Sequence, residues 1–81
     1  MDSWKVYILR CCDGSLYTGI TTDLTKRVTM HNSGKGAKYT RSRKPVELVY
    51  SEDCGDHSAA LKREAAIKAM PRSKKLKMIE K

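Results

Sequence analysis

Between Trp4 and Ile20 the chain carries two β-rich runs, Trp4–Arg10 and Ser15–Ile20, separated by the turn signal Cys11-Cys-Asp-Gly14. Two such runs about a short Gly-containing break predict an antiparallel hairpin, and the turn decides its register. A two-residue Asp13-Gly14 turn pairs Arg10 with Tyr17 and sends Tyr7 and Tyr17 to opposite faces. A three-residue loop, Cys12-Asp13-Gly14 with Gly14 in the left-handed region, moves the register by one. Tyr7, Leu9, Tyr17 and Gly19 then share one face, and Trp4, Val6, Ile8, Leu16 and Ile20 share the other. Because the second set is almost wholly apolar, the three-residue loop is the one predicted. It brings two phenols together where a glycine leaves room.

Thr21 and Thr22 offer an N-cap for a helix from about Thr22 to Asn32, which Ser33-Gly34 stops. Leu24 and Val28 form its apolar stripe, and Arg27 and His31, four residues apart, lie side by side on the stripe's flank. Alone, this pair says little more than an exposed arginine and a half-buried histidine. The following loop holds Gly34 and Gly36 with lysines between and after, an arrangement able to offer amides and ammonium groups to phosphate. It lacks the Gly-Lys-Ser/Thr ending of a P-loop. Ala37–Ser42 is expected to form a short helical turn. Lys35, Lys38, Arg41, Arg43 and Lys44 crowd this region with no acid between Gly34 and Val46. Tyr39 among them suits stacking on a base or sugar, so the loop is read as a nucleic-acid contact rather than a solvated basic loop.

Pro45 opens a third strand, Val46–Ser51, with Val46, Leu48 and Tyr50 on one face, and Glu52–Asp56 is an acidic connection. A second long helix, about Ser58 to Met70, follows the capping candidates Asp56 and Ser58. Glu64 falls within its stripe of Ala60, Leu61 and Ile67. A carboxylate there is costly unless it is paired or holds a cation. Two readings stand: an ion pair with Lys68, or a metal ligand. Pro71 ends this helix, and Ser73 can cap a basic helix, Lys74–Glu80, with Leu76 and Ile79 inward. The order ββα, basic loop, βαα predicts an α+β fold with a three-stranded, mostly antiparallel sheet flanked by helices, as a single domain over residues 1–81.

The formal net charge is +8, from 17 Lys and Arg against 9 Asp and Glu, and it is segregated. The middle loop and the tail from Lys68 to Lys81 are basic, while Glu47, Glu52, Asp53 and Asp56 form a patch of their own. Such segregation favours a polyanionic partner, nucleic acid first. No apolar run approaches a membrane span, and no signal-peptide pattern opens the chain, so a cytoplasmic location is expected. The three cysteines are an odd number, and Cys11 and Cys12 are adjacent, so reduced thiols are expected. Cys54-Gly-Asp-His57 has a C-x₂-H spacing but no second knuckle, which makes a zinc site unfavoured.

Tyr7, Tyr17, Arg27, His31 and Glu64 form a chemically coherent set for phosphodiester hydrolysis. A carboxylate holds a divalent metal, a guanidinium neutralises charge on the transition state, and a phenol or imidazole takes a proton from water. At these positions the chain resembles a GIY-YIG nuclease domain of the short, single-domain bacterial type, over residues 4 to 80. Lys5-Val6-Tyr7 corresponds to the first motif and Tyr17-Thr18-Gly19 to the second. Arg27 follows Tyr17 by ten residues, His31 stands four further on, and Glu64 lies in a later helix.

The resemblance implies one divalent metal, Mg²⁺ or Mn²⁺, on Glu64. It implies Tyr17 as general base or its immediate partner, Tyr7 as orienting the nucleophile or scissile phosphate, Arg27 as stabilising transition-state charge, and His31 as assisting proton transfer. The function implied is a metal-dependent endonuclease acting on DNA, structure- or strand-selective, in repair or recombination. The rivals are a non-catalytic nucleic-acid-binding module and a subunit that needs a partner protein. Lys5 stands where the first motif has glycine, Ile20 where some relatives carry lysine, and no residue matches the late asparagine of some relatives.

Overall fold

The hairpin closes through the three-residue loop. In the computed structural model, which describes residues 3–80, β1 (Trp4–Cys11) and β2 (Leu16–Thr21) flank it. Cys11 N–H donates to Ser15 O at 2.8 Å, Gly14 N–H donates to Cys11 O at 2.9 Å, and Gly14 has φ +84°. The Asp13 carboxylate accepts from the Ser15 amide and hydroxyl and stiffens the turn. Leu9 therefore pairs with Tyr17 and Tyr7 with Gly19, as the apolar alternation requires.

Among the described residues, four helices and a third strand follow. They are α1 (Leu24–Asn32), α2 (Lys38–Arg41), β3 (Val46–Gly55), α3 (His57–Lys68) and α4 (Arg72–Ile79). The sheet has the order β2-β1-β3 and is antiparallel throughout. This is the α+β architecture predicted.

Both faces of the sheet are covered. Val6, Ile8 and Ile67 form one buried cluster, with Ile20, Tyr50, Met78 and Ile79 packed against it. Tyr7, Leu9, Cys11 and Val46 form another beneath Leu24 and Val28 of α1. A central strand buried on both sides needs apolar residues at successive positions, and Val6-Tyr7-Ile8-Leu9 is such a run. The tyrosine face is thus a second core, which the alternation in sequence did not predict.

The start of α1 differs from expectation because a stronger cap lay nearby. Asp23, not a threonine, caps α1: its carboxylate accepts from Lys26 N–H at 3.0 Å, while Thr21 Oγ1 accepts from Asp23 N–H. Aspartate outranks threonine at this position. Ser33 and Gly34 (φ +84°) close the helix as expected. Asp56 caps α3, accepting from Ala59 N–H at 2.7 Å. That helix ends at Lys68, and α4 starts at Arg72 directly after Pro71 rather than at Lys74 behind Ser73. Leu61 lies on the outer side of α3 and is 44% exposed.

The third strand is longer and less regular than predicted. Leu9 pairs with Leu48 but Ile8 with Tyr50, so Val49 is the extra residue of a bulge. The bulge reverses the facing of the strand: Val46, before it, lies on the tyrosine side, and Tyr50, after it, lies on the other. The stretch expected as an acidic connection continues the strand, held by Glu52 to Arg63 at 3.2 Å and by Ser3 Oγ to Asp53 at 2.7 Å. At its start, Asn32 binds both backbone groups of Val46 and so joins the end of α1 to β3.

Cys11 is buried, Cys12 exposed and Cys54 part-buried, all as free thiols. The His57 ring packs on Trp4 with centroids 4.4 Å apart. Among the described residues, no helix is long and apolar enough to cross a membrane.

Candidate active site

The hairpin register sets Tyr7 and Tyr17 on one face with ring centroids 6.4 Å apart. Gly19 makes this possible. A Cβ at that position would lie 2.6 Å from Tyr7 Oη and 3.2 Å from Tyr17 Cε2. The last turn of α1 brings His31 over the same face, fully buried, with Nε2 3.0 Å from Tyr7 Oη. Its Nδ1 lies 2.7 Å from Thr40 Oγ1, and the Thr40 hydroxyl lies 3.0 Å from Ala37 O. Gly36 roofs the imidazole: a Cβ there would meet the His31 ring and lie 2.8 Å from its Cα.

Arg27 stands one turn before His31 on α1 and is half-buried. Its Nε is buried with no hydrogen-bond partner among the described residues. Burial, and then the Arg27 charge, holds the His31 imidazole below its ordinary range. Burial raises the Tyr7 phenol; Arg27 works against this, and Tyr17 and Glu64 add to it. Both groups are therefore neutral around neutral pH, with a fixed positive charge beside them.

Glu64 enters from α3. Its side chain is 19% exposed and meets Lys68 Nζ at 3.3 Å, so the ion pair is formed. Its charge is the smallest of the influences that raise the Tyr7 phenol. Among the described residues, no three His, Cys, Asp or Glu side chains cluster as a ready-made metal cage. A single hard carboxylate suits Mg²⁺ or Mn²⁺, since Mg²⁺ keeps several waters and takes its remaining ligands from substrate phosphate. The donor set fits such a metal.

The basic loop is organised differently from expectation. Tyr39 stacks on Tyr17 with centroids 5.9 Å apart and planes at 26°. Arg43 covers Tyr39, its Cζ 4.1 Å from the ring centroid. It also binds Asp13 at 3.1 Å and Tyr39 O at 2.8 Å. Tyr39 and Arg43 are thus engaged within the protein, clamping α2 onto the hairpin turn, and only part of the Tyr39 ring faces solvent. Lys35, Lys38, Arg41 and Lys44 remain exposed. The paired glycines have structural duties instead of forming a phosphate cradle: Gly34 turns the chain out of α1, and Gly36 makes room for His31.

Beside Arg27 opens a cleft of about 390 Å³, lined by Thr21, Thr22, Asp23, Lys26, Arg27 and Met30. Thr40 and Lys26 were not singled out by sequence reasoning. Thr40 carries no local signal, since its partner is chosen by the path of the loop over His31. The signal for that path was Gly36.

Comparison with known proteins bears on the family and the fold. A UPF0213 protein of Staphylococcus epidermidis is 59% identical over 80 residues, 99% of this chain and 98% of its own. One of Desulfotalea psychrophila is 56% identical over 79 residues, 96% of this chain and 72% of its own. The solution NMR structure of a UPF0213 protein of Bacillus halodurans has a TM-score of 0.61 at 45% identity, covering 99% of this chain and 84% of that one. An E. faecalis protein solved by NMR gives 0.65 at 44% identity, covering 99% and 88%. The GIY-YIG catalytic domain matches residues 3–77. That span takes in the whole sheet and every side chain gathered around Tyr7, and the chain belongs to the GIY-YIG family, a family of nucleases.

Proposed function

We propose that this chain is a divalent-metal-dependent endonuclease that hydrolyses phosphodiester bonds in DNA, selecting its substrate by structure or strand in repair or recombination. The observation that carries the reading is the 3.0 Å contact of Tyr7 Oη with a neutral, buried His31, beside the Arg27 guanidinium, whose Nε has no partner among the described residues. The Arg27 guanidinium brings a positive charge to this contact, where it opposes the rise of the Tyr7 phenol. The site residues proposed are Tyr7, Tyr17, Arg27 and His31, with Glu64 for the metal.

In the reaction, Arg27 binds a non-bridging oxygen of the scissile phosphate and offsets the charge that builds on it. Water attacks phosphorus; its proton passes to Tyr7 Oη as Tyr7 gives its own to His31 Nε2. The P–O bond to the leaving oxygen breaks with its electron pair, and that oxygen takes a proton from solvent. His31 then hands its proton back to Tyr7 Oη, which passes one on to solvent. This assigns the first proton transfer to Tyr7, and leaves Tyr17 to pack against His31 at 5.3 Å and shape the water's position. Glu64 would hold Mg²⁺ or Mn²⁺, which supplies positive charge at the phosphate when bound. The cleft beside Arg27, with Lys26 and two threonine hydroxyls, is the proposed path of the flanking strand, and exposed Lys35, Lys38, Arg41 and Lys44 add backbone contacts.

One observation favours a second reading, a binding module without chemistry: Glu64 already has Lys68 as a partner. Branched, nicked and single-stranded DNA with Mg²⁺ or Mn²⁺ separates the two. Cleavage by wild type and none by Glu64→Ala supports the enzyme. Equal cleavage by both removes Glu64 from the mechanism, and binding without cleavage supports the module.

A further inference from the structure

We propose that Thr40 is a positioning residue that sets the tautomer of His31, holding the ring proton on Nδ1 and leaving Nε2 as acceptor for the Tyr7 hydroxyl. The role deepens the reading of Tyr7 and His31 as a proton path and rests on it for its catalytic consequence, though not for its structural one.

Neutral imidazole has one N–H and one bare nitrogen, and its partners decide which is which. Here all three partners are buried: Tyr7 is 1% exposed, and His31 and Thr40 are 0% exposed. With the proton on Nε2, His31 donates to Tyr7 Oη and the Thr40 hydroxyl turns to Nδ1. The phenol hydrogen is then stranded, because His31 is the one acceptor bonded to Tyr7 Oη among the described residues and Arg27 only donates. With the proton on Nδ1, every hydrogen is used. Nδ1–H donates to Thr40 Oγ1 at 2.7 Å, Thr40 O–H donates to Ala37 O at 3.0 Å, and Tyr7 O–H donates to Nε2 at 3.0 Å. The chain runs one way because it ends on a carbonyl, which can only accept. A buried network with no orphan donor is the more stable one.

The sequence builds this chain from a segment that otherwise looks like a plain basic loop. Thr40 sits in the single turn of α2 and back-bonds to the carbonyl three residues before it, a habit of threonine in short helices. Gly36, just before that turn, lies flush on His31, so the loop approaches closely enough for Oγ1 to reach Nδ1. The chemical result is direct. Nε2 bears a lone pair toward Tyr7, so the proton leaving the phenol has a place to go without any rearrangement of the ring.

Long-range ¹H–¹⁵N NMR on the histidine rings reads the tautomer without reference to activity. The wild-type protein and Thr40→Ser are expected to carry the His31 proton on Nδ1. Thr40→Val, which keeps the shape but not the hydroxyl, is expected to move it wholly or partly to Nε2. On a DNA substrate that wild type cuts, Thr40→Val should lower kcat by roughly ten- to a hundredfold, the scale on which orienting partners act at metal-ligating histidines, with KM little changed. Thr40→Ser should restore most of the rate. A wild-type proton on Nε2, or a tautomer unmoved in Thr40→Val, overturns the proposal. If Thr40→Val does not fold, the wild-type and Thr40→Ser spectra still decide. Absence of cleavage by wild type would remove the endonuclease reading while leaving the tautomer result to stand or fall alone.

Discussion

Gly19 faces Tyr7 across the first two strands so closely that any side chain there would displace the phenol; an ideal Cβ would sit 2.6 Å from Oη and 2.7 Å from Cζ. The demand is for space and not for an unusual backbone, since Gly19 is not among the positive-φ glycines. Gly19→Ala is therefore expected to push Tyr7 from His31. Overpacking a filled core costs about 1–3 kcal/mol, so a urea titration should show that loss together with loss of cleavage. An alanine variant as stable and as active as wild type would show that Tyr7 is not held where its contact with His31 requires.

Buried, neutral His31 makes stability depend on pH. Its folded pKa is depressed, so the unfolded chain binds the proton more readily. The contribution is fully present above the unfolded value of about 6.5 and is lost as pH falls from there through the folded value. His31→Asn should flatten this limb of the stability profile relative to wild type. The comparison must be by difference, because Asp13 and Asp53 also have lowered pKa values and lose stabilising contacts in acid. The cleavage rate should fall over the same range, as protonated His31 cannot accept from Tyr7.

Glu64→Gln separates structure from chemistry. Its pair with Lys68 is an i, i+4 contact to a lysine that is 54% exposed. Such pairs contribute only about 0.3–0.5 kcal/mol, so the melting curve should move little. Metal-dependent cleavage should vanish while DNA binding persists. Unaltered cleavage under saturating Mg²⁺ would falsify the assignment of the metal to Glu64.

The exposed bases should act through counterion release. Replacing Lys35, Lys38, Arg41 and Lys44 together is expected to weaken binding across sequences and flatten its salt dependence. Lys26→Ala, in the cleft beside Arg27, should do the same to a smaller degree and also slow cleavage. Arg43→Ala should differ in kind, lowering stability, because Arg43 ties Asp13 and Tyr39 together. Fluorescence anisotropy at several salt concentrations, beside a thermal melt, tells these cases apart.

Much of this protein was legible in the chain because local rules governed it. The hairpin register came from Gly14 and the strictly two-residue period of strands, and it placed Tyr7 and Tyr17 together without any tertiary information. The spacing of Arg27 and His31 on one helix, and the capping of α3 by Asp56, were equally local. What lay beyond reach depended on which segments met in space. The bulge at Val49 arose from fitting β3 against β1, and it reversed a facing that alternation alone predicted. Tyr39 and Arg43, read as free to meet nucleic acid, were claimed by Tyr17 and Asp13 once α2 folded over the hairpin turn. Thr40 gained its partner the same way. Periodicity records how a residue sits in its own element, while a hydrogen bond between a loop and a buried imidazole exists only after the loop has chosen its path, and that choice was made by packing at Gly36.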